Sequence, residues 1–222
     1  MRLRYVSPAL LLAAFCWIPS ARAQSSFDLN IGGGSAWAGS NGQGIDNAQS
    51  INAFGSCIPN SSDIFCEKTP SLSGFFLGLG MDVMLTKKYG LGFEGSFQPN
   101  RPDYGPLQYR QSFYDVYGIF SPISQKRVQL KISGGIGAAR TSFAINESGC
   151  VGTAVCSHQT VPIGNASHFQ AHLGVGLELF VTEHVFIRPE LDVHFIPNFT
   201  QQFGSNTVPQ AMVWLGYSFG EH

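Results

Sequence analysis

Apolar and polar residues alternate along most of this chain. From His168 to Phe195 it reads HFQAHLGVGLELFVTEHVFIRPELDVHF, two alternating runs around a polar break at Thr182, Glu183 and His184. Phe169, Ala171, Leu173, Val175, Leu177, Leu179 and Val181 share one parity, and His168, Gln170, His172, Gly174, Gly176 and Glu178 hold the other. After the break Val185, Ile187, Leu191, Val193 and Phe195 oppose Arg188, Glu190, Asp192 and His194. Period two is the mark of a strand with two unlike faces, whereas a helix needs apolar positions three and four apart. The stretch predicts a long hairpin.

The same period recurs from Phe27 to Trp37, Gly74 to Leu85, Gly90 to Gln98, Tyr109 to Phe120, Val128 to Phe143 and Gln210 to Phe219. The run at Tyr109 is the least clean, because Phe113, Tyr117 and Ile119 accompany Asp115 while Tyr114, Val116 and Phe120 take the other face. Eight strands result. Their links alternate between short (Thr86 to Tyr89, Ser121 to Arg127, Thr182 to His184) and long (Ala38 to Ser73, Pro99 to Gln108, Ala144 to Ser167, Ile196 to Pro209). An even strand number with short turns on one side and long loops on the other predicts an all-β, eight-stranded antiparallel up-and-down transmembrane β-barrel, its turns periplasmic and its loops extracellular. Trp37, Tyr89, Phe97, Tyr114, Phe195 and Tyr217, near strand ends, fit interfacial aromatic girdles.

Composition decides which face is wet. Charged residues make up 12% of the chain, about half the usual share for a soluble domain. The polar parity is filled out with glycine rather than lysine and glutamate, as a narrow interior requires, so the apolar parity is expected to face lipid. Upstream, Arg2 and Arg4 precede the apolar run Ala9 to Ile18, and Ala21-Arg22-Ala23 fits a cleavage site. Residues 1–23 therefore read as a signal peptide and 24–222 as the barrel domain. Phe15 before Cys16 argues against lipidation.

The segments Lys131-Ile132-Ser133-Gly134-Gly135-Ile136-Gly137, Ile187-Arg188-Pro189-Glu190-Leu191-Asp192-Val193 and Leu215-Gly216-Tyr217-Ser218-Phe219-Gly220 resemble the small OmpA/OmpX-type outer-membrane barrels of Gram-negative bacteria. The resemblance implies a cell-surface protein of the outer membrane, exported through a cleaved signal. Gly220, Glu221 and His222 follow Phe219, where many members of that family end on an aromatic. Anchoring to the cell wall through a peptidoglycan-binding domain is not expected.

Four constellations are candidates for chemistry. Asp82, Glu94, Asp115, Lys131, Glu178, Arg188, Glu190 and Asp192 point inward. In a barrel this narrow side chains fill the lumen and buried charges need partners, so a plug is expected over an ion path. Lys131 and Arg188 are its cationic centres, with Glu178 or Glu94 the expected partners of Arg188. Cys57, Cys66, Cys150 and Cys156 allow three disulfide connectivities, of which pairing within each loop, Cys57 with Cys66 and Cys150 with Cys156, has the lowest closure cost. His168 and His172 share the inward parity but stand roughly 13 Å apart on a strand, too far to hold one metal ion. The glycines from Gly134 to Gly137 continue a strand rather than open a helix, so they form no nucleotide site. No catalytic residue, cofactor or metal is therefore assigned.

A net charge of −1 gives no sign of nucleic-acid binding. The expected partners of this monomer are outer-membrane lipid and lipopolysaccharide, with an extracellular ligand at the loops. A structural or surface-interaction role leads; a small passive pore and a lipid-modifying enzyme are the alternatives.

Overall fold

The computed structural model describes residues 26–42, 44–46, 56–57, 66–104, 107–151 and 155–220. The signal segment 1–23 lies outside them. Eight main strands are present: β1 (Ser26–Ala36), β2 (Phe75–Met84), β3 (Tyr89–Phe97), β4 (Leu107–Gln125), β5 (Val128–Val151), β6 (Val155–Phe180), β7 (Val185–Phe195) and β8 (Thr207–Phe219). Each pairs antiparallel with its sequence neighbours, and β8 pairs with β1, so the sheet closes on itself.

The closed sheet is inverted relative to a water-soluble protein. Leu79, Leu91, Val116, Ile136, Leu173 and Leu215 are exposed, and Leu191 has 62% of its surface open, whereas Arg188 is only 2% exposed. The glycines of the inward parity have a steric reason. A Cβ on Gly32 would lie 2.5 Å from the Trp214 ring, and Gly78, Gly92 and Gly216 lie as tightly against Trp214, Tyr117 and Phe186. Large interior rings take the space that small residues leave.

Three links differ from expectation. The segment Ala144 to Ser167 is no loop, because β5 and β6 stay in register from Leu179↔Val128 out to Val155↔Val151, with one irregularity between Pro162 and Gly164. One parity of this extension carries Ile145, Val151, Val155, Val161 and Ile163, but Glu147, Ser157 and Gln159 interrupt it, so it shows no clean two-face signal even though it is strand. The segment Ser121 to Arg127 is mostly strand too, leaving Lys126 and Arg127 as the turn. In the first long link three short strands, Gly44–Asp46, Ser56–Cys57 and Cys66–Lys68, form a separate small sheet.

That register bears on the cysteines, whose side chains lie outside the described residues. Cys150 and Cys156 are direct cross-strand partners. Cys57 and Cys66 sit on the two strands flanking Gly44–Asp46, two strand spacings or about 9.6 Å apart at least. A disulfide reaches only about 7 Å between Cα atoms.

Candidate functional site

The interior holds two stacked layers of different chemistry. The first is ionic. The Lys131 ammonium lies 2.9 Å from Asp28, 3.1 Å from Asp82 and 2.6 Å from Glu178. Oxygens of those three carboxylates lie close enough together to hold a metal ion, but the ammonium occupies that position. Arg188 reaches Asp82 at 2.6 Å, Glu178 at 3.3 Å and, through Nε, Glu190 at 2.9 Å. The Tyr117 hydroxyl donates to Asp82 at 2.9 Å, and the Ser218 hydroxyl donates to Asp28. The Arg188 guanidinium also lies over the Trp214 ring, 5.6 Å from its centroid.

Five of the eight predicted charges thus meet in one network: Asp82, Lys131, Glu178, Arg188 and Glu190. Asp115 and Asp192 belong instead to a neighbouring polar set. Gln170 donates to both Asp115 oxygens at 2.7 and 2.8 Å, His172 Nε2 meets Asp192 at 2.9 Å, and His194 Nε2 meets Gln210 at 2.8 Å. The two imidazoles stack at 5.3 Å, and His194 stacks on Phe113 at 4.5 Å. Glu94 is buried opposite Asp115 in the register. Among the described residues it has no ion pair, so of the two expected partners Arg188 takes Glu178 and not Glu94.

Sequence reasoning misses Asp28. Its inward parity in β1 is the available signal, but its partner lies across the lumen on β5, 103 positions away. Gln170, Gln210 and His194 are missed as network members because uncharged groups carry no demand for a counter-ion.

The second layer is apolar and closes the end of the barrel that carries the long links. Phe76 and Phe113 stack at 5.7 Å; beyond them Tyr104, Tyr109, Phe143, Phe199 and Phe203 form one buried cluster with Leu72, Ile196, Met212 and Trp214. Tyr104 stands 5.2 Å from Phe143, and Tyr109 stands 5.3 Å from Phe203. The Tyr104 hydroxyl donates to the Gln202 carbonyl, tying the link after β3 to the link after β7. Burial among these rings pushes the Tyr104 phenol up to about 12. The uneven alternation of β4 has its cause here, since Tyr109, Phe113 and Tyr117 fill the lumen.

No family model and no curated protein matches the sequence. Solved structures do. A major outer membrane protein of Thermus thermophilus superposes with a TM-score of 0.54 at 10% identity, covering 88% of this chain and 99% of its own. Ail, the attachment invasion locus protein of Yersinia pestis, solved with the heparin analogue sucrose octasulfate, superposes with a TM-score of 0.51 at 12% identity, covering 88% and 99%. The fold is that of small outer-membrane barrels. At these identities the likeness concerns fold alone, and within it the double plug of this chain is built from its own residues.

Proposed function

We propose that this protein is a transmembrane barrel of the OmpA/OmpX type in the outer membrane of a Gram-negative bacterium. Its lumen is closed, and it acts as a monomer through its outer surface, anchored in lipid and lipopolysaccharide. The observation that carries this reading is the pairing of an apolar exposed belt with an interior filled first by ion pairs and then by rings. A water-filled pore needs an open polar path, and a buried aromatic cluster does not offer one. Catalysis on lipid is likewise disfavoured, because His172 and His194 are buried, stacked and engaged beneath that cluster. Among the described residues neither histidine faces the belt.

The surface that remains is the set of long links, above all the β5–β6 extension, where an extracellular ligand would meet a rigid scaffold. A bridge between Cys150 and Cys156 would tie its far end. The test is fractionation followed by protease treatment of intact cells. Recovery with the outer membrane and cleavage confined to the long-link side support the reading. Recovery in the soluble fraction, or cleavage only after the outer membrane is opened, overturns it.

A further inference from the structure

Three arginines share one groove of about 680 Å³ on the outer face of β4 to β6. Arg110 and Arg140 hold the outward parity of adjacent strands, with Arg110 opposite Ser142 and Arg140 opposite Ser112. Arg101 is brought beside them by the link after β3. The Tyr109 amide donates to the Pro102 carbonyl at 2.9 Å, and Arg110 Nη2 donates to the Pro99 carbonyl at 3.1 Å.

Their height follows from the register. One step below Arg140 in the outward parity lie Ala138 and its cross-strand partners Tyr114 and Phe169. From Val128 to Ala138 the outward positions of β5 are apolar or glycine. Ten residues rise about 33 Å along a strand, or about 25 Å along the axis at a tilt of roughly 40°, the height of an outer-membrane apolar band. Arg140 is the next outward position. The groove therefore sits where acyl chains give way to headgroups.

Among the described residues the three arginines meet no counter-charge: no carboxylate pairs with any of them. Arg101 Nη1 and Arg110 Nε are buried N–H groups with no acceptor. Burial, and then the neighbouring Arg110, hold the Arg101 guanidinium below its usual range. Guanidinium forks match phosphate oxygens two at a time.

We propose that Arg101, Arg110 and Arg140 clasp the phosphate monoester of a phosphorylated glycolipid in the outer leaflet, whose acyl chains lie along Tyr114 and Phe169 below. The proposal rests on the membrane-spanning reading above, and one experiment separates the two. Full-length mature protein is folded into phosphatidylcholine vesicles containing lipid A, extracted gently, and weighed by native mass spectrometry for retained lipid. Wild type should retain lipid A, and dephosphorylated lipid A should be lost. R110Q/R140Q should weaken retention by roughly tenfold for each arginine removed, while K87Q/K88Q at the opposite rim should not. Equal retention by wild type and R110Q/R140Q, retention indifferent to the phosphates, or capture only of soluble inorganic phosphate or a polysulfated sugar overturns the lipid site while leaving the barrel reading intact. If wild type does not insert into the vesicles, both fall.

Discussion

Arg188 and Lys131 are held among Asp28, Asp82, Glu178 and Glu190, all nearly inaccessible to solvent. Replacing Arg188 by Ala removes the only cation on Glu190 among the described residues and one of two on Asp82, which in buried pairs costs about 3 to 5 kcal/mol. Urea unfolding of Arg188→Ala in lipid vesicles checks this, and an unchanged midpoint would remove the ionic layer as a source of stability. Gly78 makes a complementary case. A larger residue there meets the Trp214 ring at once, so Gly78→Val should cost about 1 to 3 kcal/mol by overpacking, whereas Gly39, with open space around its Cβ position, should accept the same change. Tyr104 adds a pH dependence. Its folded value near 12 lies above the ordinary 10.0, so the unfolded chain loses that proton first and stability falls as pH rises from 10 to 12. Near-UV circular dichroism of the ring cluster should fade in that window, and less so in Tyr104→Phe. At this scale parity told which side chains point inward, but which of them touch did not follow, because Lys131 and Asp28 meet only across the closed lumen.

Among the elements, β6 shows where a pattern of hydrophobicity stops being informative. Its portion from His168 onward has unlike faces and is legible, while the portion from Val155 to Ser167 breaks its alternation at Ser157 and Gln159 and reads as loop although its pairing with β5 is continuous apart from one irregularity. The inner portion should be sensitive to sidedness. Leu173 faces outward opposite Gly134, near the middle of the apolar run from Val128 to Ala138, and Leu173→Arg should cost roughly 2 to 4 kcal/mol near the middle of a bilayer, measured by refolding into vesicles. A loss near zero would return the apolar face to water. At the far end, directly opposed strand residues have Cα atoms about 4.5 to 5.5 Å apart, within disulfide range. Mass mapping of the exported protein is expected to find Cys150 joined to Cys156; free thiols at both would leave the extension held by backbone pairing alone.

The molecule as a whole combines a closed sheet, an outer belt of leucine, isoleucine, valine and aromatic side chains, and a lumen packed from side to side. Eight strands and their order were legible because each crossing repeats the same two-face contrast. The ring cluster was not, since Phe76, Phe113 and Phe143 occupy the polar parity and Phe199 and Phe203 come from a long link with no periodic signal. That cluster turns an interior of charges into a seal, and the most direct measurement of it is single-channel conductance of the purified protein in planar bilayers. Wild type should insert and remain silent across the accessible voltage range, with discrete openings appearing only when the rings are cut back, as in Phe113→Ala combined with Phe203→Ala. Regular stepwise openings of the wild-type protein would contradict a sealed lumen and restore the pore.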